Sequence, residues 1–208
     1  MRTVLYFHGF LSTPSSQKVR LLRDALQREK DAGEWRLIAP DLNYPPRCVS
    51  RLLDEIAERI DLAHTAVIGS SLGGFFASRF ARRYRTSCVL LNPCFDPWTF
   101  IPDFLGPQFV YGSQRQVDVK PSFAQDFLEL AQEVAPEVDP TLPELALISL
   151  NDEVLDSKKT WAACAGVRRI ALTKEDHRIA GFDQWIPLVM AFLRQRLAQA
   201  CLRSSVLV

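Results

Sequence analysis

Ser71 stands in Gly69-Ser70-Ser71-Leu72-Gly73, after the apolar run Thr65 to Ile68 and before Gly74 and the helix-forming stretch Phe75 to Tyr84. A Gly-x-Ser-x-Gly pattern between a strand and a helix holds a serine hydroxyl out on a sharp turn. Side chains two positions either side of that serine would collide, and Gly69 and Gly73 remove them. The turn also puts Ser71 at a helix N-terminus, where the Leu72 N–H and the helix dipole can stabilise negative charge on a substrate oxygen. The chemistry that follows is nucleophilic attack on an acyl carbon. A tight structural turn or a phosphate loop uses similar glycines. A phosphate loop, however, needs Lys followed by Ser or Thr after its last glycine, and Gly74-Phe75 follows here.

A serine hydroxyl is a poor nucleophile without a base, and in this setting the acid and the histidine come later in the chain. There are 3 histidines. His8 precedes Ser71, in the turn after the first apolar run, and His64 sits at the end of a helical stretch and suits a solvated position. His177 alone follows Ser71, in the polar loop Thr173 to Gly181, and is the candidate base. The candidate acid is Asp152, in Asn151-Asp152-Glu153-Val154-Leu155-Asp156 directly after the run Leu145 to Leu150. Glu153 and Asp156 suit solvation or capping of the next helix. Asp96 is the alternative acid, set between prolines that favour a turn. A second oxyanion donor fits the N–H of Phe10 in Tyr6-Phe7-His8-Gly9-Phe10-Leu11, with Gly9 allowing close approach and His8 bracing the loop. This set of Ser71, Asp152, His177, Phe10 and Leu72 calls for no metal and no cofactor.

The elements that must position these residues alternate. Strands are expected at Val4 to Phe7, Trp35 to Ala39, Thr65 to Ile68, Ser87 to Leu91, Leu145 to Leu150 and Val167 to Leu172. Helices are expected after a Ser15 or Ser16 cap through Val19, Leu22 and Leu26, then at Val49 to Ile60, Phe75 to Tyr84, Lys158 to Cys164 and about Gln184 to Leu197. Such alternation implies an α/β chain with a mostly parallel sheet and helices on both faces, because parallel strands need crossover connections. Residues 93 to 143, rich in proline and aromatics, break the rhythm and read as an insertion over the sheet, a possible cap or lid. The length of 208 residues fits one domain, and Cys201 to Val208 read as a frayed tail.

A net charge of +1 gives no global attraction for nucleic acid or an anionic membrane, so a neutral small molecule is the expected partner. The first apolar run is too short for a secretory signal, and no run approaches membrane-spanning length. An odd count of 5 cysteines without a Cys-x-x-Cys pair suits free thiols in a reducing compartment, which makes the expected location cytoplasmic.

Together these stretches resemble the YqiA-like esterases, small single-domain α/β hydrolases that begin directly with the His-Gly strand. The likeness runs over nearly the whole chain and is carried by Leu5-Tyr6-Phe7-His8-Gly9-Phe10, Gly69-Ser70-Ser71-Leu72-Gly73-Gly74, Asn92-Pro93, Asp152-Glu153-Val154-Leu155-Asp156 and His177 with Gly181-Phe182. The resemblance implies the α/β-hydrolase fold and esterase activity on short-chain or thioester-type acyl substrates, with Ser71, Asp152 and His177 as triad. Around the histidine the chain departs from the family, which tends to a small or amide residue before it and an aromatic soon after. Asp176-His177-Arg178-Ile179 stands there instead. That departure supports a second reading, a catalytically silent scaffold that binds a small ligand or a protein. Acyl transfer to an acceptor other than water uses the same residues.

Overall fold

The inner strands of the sheet are apolar on both faces, and the structure shows why. The computed structural model describes residues 1–133 and 144–204, with side chains described through residue 197. Strands β1 (Arg2–Phe7), β2 (Trp35–Ile38), β3 (Thr65–Ser70), β4 (Ser87–Leu91), β7 (Glu144–Ser149) and β8 (Arg168–Leu172) form one parallel sheet in the order β2-β1-β3-β4-β7-β8. Successive side chains of a strand point to opposite faces. Leu5, Phe7, Val67, Leu90 and Ile148 pack with the helices on one side, and Val4, Tyr6, Ile68, Leu91 and Leu147 with those on the other. Burial on both faces accounts for the near-continuous apolar runs.

Helices α2 (Pro46–Ala57), α3 (Leu72–Tyr84) and α4 (Ser122–Gln132) cover the first face, through Val49, Leu53, Phe75, Phe76, Phe127 and Leu130. Helices α1 (Gln17–Gln27) and α6 (Phe182–Ser204) cover the other, through Val19, Leu22, Val189 and Leu193. Helix α5 (Ser157–Ala163) connects β7 to β8. No helix among the described residues is long and apolar enough to cross a membrane.

Several boundaries differ from the sequence expectation. Helix α3 begins at Leu72 instead of Phe75, because the strained Ser71 is itself the residue that enters the helix. Helix α2 begins at Pro46 instead of Val49; proline is pre-organised for the first helical position, a start signal that apolar spacing does not carry. Ser16 precedes α1 without a side-chain cap bond. The expected tail is helical as far as Ser204, and 205–208 lie outside the described residues.

The expected insertion is partly core. It holds an antiparallel hairpin, β5 (Gly106–Phe109) with β6 (Gln116–Val119), and then α4, whose Phe123 and Phe127 are buried in the same cluster as Phe75 and Phe76. The hairpin leaves Phe109 and Tyr111 exposed. Its last part, 134–143, lies outside the described residues. Every strand of the sheet runs the same way, so the loops after β1, β3, β4, β7 and β8 meet at one edge, where ligand sites of open parallel sheets lie.

Candidate active site

The turn after β3 is built on close backbone packing. Ser71 has φ 52 and ψ −122, a conformation that L-residues avoid, at a strain of about 1–3 kcal/mol. Its N–H donates to the Leu91 carbonyl at 3.0 Å, and its carbonyl accepts from Gly74 at 2.8 Å and Cys94 at 3.0 Å. A Cβ at Gly73 would lie 2.0 Å from the Phe7 carbonyl oxygen, and one at Gly69 2.3 Å from the Gly73 oxygen. Both contacts are to backbone, which cannot step aside. Gly73→Ala is therefore expected to destabilise the fold by about 3 kcal/mol or more. Gly33→Ala, where a Cβ meets nothing within 4 Å, should stay within about 0.5 kcal/mol. Urea-unfolding midpoints of the two variants check this.

The structure brings Ser71, His177 and Asp152 together from three loops. His177 Nε2 lies 3.0 Å from Ser71 Oγ, and Nδ1 lies 2.9 and 2.8 Å from the two Asp152 oxygens. A carboxylate can only accept, so Nδ1 carries the proton and Nε2 is left to accept from the serine hydroxyl. The Asp152 side chain is 3% exposed and that of His177 12%. Burial pushes the Asp152 carboxyl up, but hydrogen bonds from His177, Leu155 N–H and Val154 N–H outweigh it and hold the group below its ordinary value. Asp152 is thus charged and fixed at neutral pH.

The other acids find structural positions. Asp156 caps α5 by accepting from the N–H groups of Lys158 and Lys159. Glu153, expected to be solvated or a cap, instead accepts the backbone N–H of His177 at 2.9 Å. Asp96 opens the short turn Pro97–Thr99, its carboxylate 4.0 Å from Cys94 Sγ, while the imidazole goes to Asp152. Asp176, part of the departure from the family pattern, closes the histidine loop by accepting from Ala180 N–H with its side chain and from Ile179 N–H with its carbonyl. Lys18 of α1 donates to the Arg178 carbonyl.

On the other side of Ser71 lies the loop after β1. A Cβ on Gly9 would be 3.3 Å from Ser71 Cβ, so the absence of a side chain lets this backbone approach Ser71 closely. His8 is buried; its Nδ1 faces the Gly9 carbonyl at 2.9 Å and its Nε2 accepts the Leu42 N–H at 3.0 Å. Burial lowers its pKa, and the neutral ring ties the loop to residue 42 without approaching Ser71 as a base. Leu72 is the first residue of α3, so its N–H has no acceptor within the helix. Phe10 follows Gly9, its ring edge-on to Phe100 and Phe104. A narrow, mostly apolar cleft starts at Gly9, Phe10 and Leu72 and runs between Ile101, Val117 and Phe127. His64 pairs with Asp61 just before β3, a strand's length from Ser71.

Apolar spacing did not single out Asn92, which bonds both the histidine loop and β7. Its signal was a polar residue that tolerates left-handed backbone, placed at a strand end before proline.

The model of the uncharacterised protein family UPF0227 matches residues 3–194. The chain belongs to the UPF0227 family. This is the family of the YqiA-like esterases. A UPF0227 protein of Shewanella woodyi is 30% identical over 195 residues, 91% of this chain and 98% of the relative. The hydrolyase poxO of Penicillium oxalicum is 29% identical over 113 residues, which is 50% of this chain and only 23% of the fungal protein's own length. Among solved structures, Est1E from Butyrivibrio proteoclasticus superposes with a TM-score of 0.69 at 13% identity, covering 95% of this chain and 88% of that one. That likeness shows the α/β-hydrolase fold for this UPF0227 member.

Proposed function

We propose that this UPF0227 protein is a serine hydrolase that cleaves small acyl esters or thioesters through an acyl-enzyme on Ser71. The observation that carries the reading is the unbroken relay from Asp152 through His177 to Ser71 Oγ, set on a strained turn at the mouth of an apolar cleft. His177 takes the Ser71 proton as Oγ attacks the acyl carbon, and Asp152 holds the resulting imidazolium. The N–H groups of Phe10 and Leu72 bind the oxyanion. His177 then protonates the leaving oxygen or sulfur, and with water as the second nucleophile it serves as base again. The apolar lining of the cleft fits the acyl side of a substrate, and Ile101, Val117, Phe123 and Phe127 supply one wall of it; we take the whole chain, 1–208, as a single domain. The kinship supports the same class of reaction: phmG of Phaeosphaeria nodorum, 40% identical over 52 residues, is named a hydrolase, and one structure of Est1E holds ferulic acid. Free thiols at Cys48, Cys88, Cys94 and Cys164 fit the proposed cytoplasmic setting.

A fluorophosphonate probe tests the reading. Stoichiometric labelling that peptide mapping places on Ser71, with parallel loss of p-nitrophenyl ester hydrolysis, is the expected result. A folded protein that neither takes the probe nor hydrolyses the ester is a silent scaffold, and the proposal fails.

A further inference from the structure

The catalytic reading asks His177, on a loop of nine residues, to hold its ring within hydrogen-bond range of two partners at once. Several groups bind that loop from outside. Glu153 and Lys18 reach it from the surface, and Ser149 Oγ donates to the Glu175 carbonyl. Asn151 Nδ2 donates to the Thr173 carbonyl at 2.7 Å. The fifth tether reaches two carbonyls of the loop at once. Asn92 follows β4, is 1% exposed, and uses every hydrogen-bonding group of its side chain except one lone pair.

The partners of Asn92 fix which way its amide points. Its Oδ1 accepts the backbone N–H of Ser149, at the end of β7, at 2.6 Å. Its Nδ2 donates to the His177 carbonyl at 2.8 Å and to the Asp176 carbonyl at 3.2 Å. One partner is a donor and two are acceptors, so the flipped amide would face three clashes of sign. The backbone N–H of Asn92 meanwhile donates to the Leu147 carbonyl at 3.0 Å, extending the β4–β7 pairing by one residue. To aim its amide this way the residue sits at φ 43, in left-handed space, which asparagine tolerates better than most residues. Two residues on, Cys94 N–H holds the Ser71 carbonyl at 3.0 Å. A single buried side chain thus joins the chain segment that braces the nucleophile, the strand that leads to Asp152, and the backbone of the base.

We propose that Asn92 is a positioning residue for the reaction, clamping the His177 main chain so that the imidazole stays in line between Asp152 and Ser71. This rests on the serine-hydrolase reading. Asn92 does not touch substrate; it acts by keeping one tautomer and one ring position populated. Without the clamp the loop keeps its other tethers, and its carbonyls at 176 and 177 lose their shared buried donor. A shift of the ring of about 1 Å costs on the order of 10²-fold in rate.

Asn92→Asp is the sharpest test. It preserves shape, tolerates the same φ and keeps the acceptor for Ser149 N–H, but removes both donors. The expected result is a fall in kcat of about 10- to 100-fold with KM within about two-fold. In the ¹⁵N spectrum of histidine-labelled protein, which holds 3 histidines, His177 should move from a single Nδ1–H tautomer to a mixture. If Asn92→Asp does not fold, Asn92→Gly keeps the left-handed turn, removes the amide, and should show the same two changes. A folded variant that retains parental kcat and the parental His177 tautomer overturns the proposal. If the parent itself neither hydrolyses esters nor takes the fluorophosphonate, the hydrolase reading is what has failed. The tautomer comparison still decides whether Asn92 holds His177.

Discussion

Replacing Ser71 by glycine is expected to abolish ester hydrolysis and at the same time raise the unfolding temperature. The activity arm follows from the relay: with Oγ gone there is no nucleophile, and loss of such a group in a cooperating triad costs on the order of 10⁶-fold in kcat. The stability arm follows from the backbone. Ser71 is held at φ 52 and ψ −122 by three main-chain hydrogen bonds that do not involve its side chain. Glycine adopts that conformation without the strain of about 1–3 kcal/mol. Its greater freedom in the unfolded chain returns about 0.5–1 kcal/mol of that. The net gain is about 1 kcal/mol, or roughly 2–4 °C for a chain of this length. Ser71→Ala separates the two arms, because alanine loses the hydroxyl but keeps the strain. It should be equally inactive with no rise in melting temperature. Thermal unfolding followed by circular dichroism, beside p-nitrophenyl ester assays, reads both. A glycine variant that melts below Ser71→Ala would show that the turn is not strained.

That strain was only half visible in the sequence. Gly69 and Gly73 announced a tight turn, and the order of Ser71, Asp152 and His177 along the chain announced which residues could meet. Both signals are local or ordinal, and such signals survive in one dimension. The parallel sheet was legible for a related reason: strands buried on both faces must be apolar at nearly every position, as Val4 to Phe7 and Val67 to Ile68 are. What the sequence left dark was long-range and polar. Nothing near Glu153 shows that its carboxylate accepts the N–H of a residue 24 positions later, and nothing near Asn92 shows that it ties β7 to the histidine loop. By composition the proline- and aromatic-rich segment reads as a cover. Composition does not distinguish the buried Phe123 and Phe127 of a core helix from the exposed Phe109 and Tyr111 of a hairpin. The departure at Asp176 likewise has a reason that only the fold supplies, since its side chain closes the loop that carries His177.

Asp152→Asn is expected to lower kcat by on the order of 10⁴-fold while leaving the fold and ester binding in place. The amide fits where the carboxylate was, and its oxygen can still accept the N–H groups of Val154 and Leu155 that now bond Oδ1 at 2.9 and 2.8 Å. The nitrogen then faces the imidazole. An amide N–H must donate, so His177 Nδ1 has to accept, and the ring proton moves to Nε2, the nitrogen that faces Ser71 Oγ. The base is then protonated where it should receive. Stability follows a separate rule. The Asp152 pKa is lowered in the folded protein, so its contribution is present above the ordinary value of 3.8 and is lost as pH falls from there through the folded value. Parent and variant should therefore run parallel in urea-unfolding midpoint from pH 7 down to about 4. Below that the parent should lose stability faster, because only the parent has a carboxylate there to protonate. A variant that keeps kcat within about ten-fold would mean that His177 is oriented by its main-chain clamps alone. In that case the carboxylate contributes charge and not direction. Parallel curves down to pH 2 would mean that Asp152 is not held below its ordinary pKa.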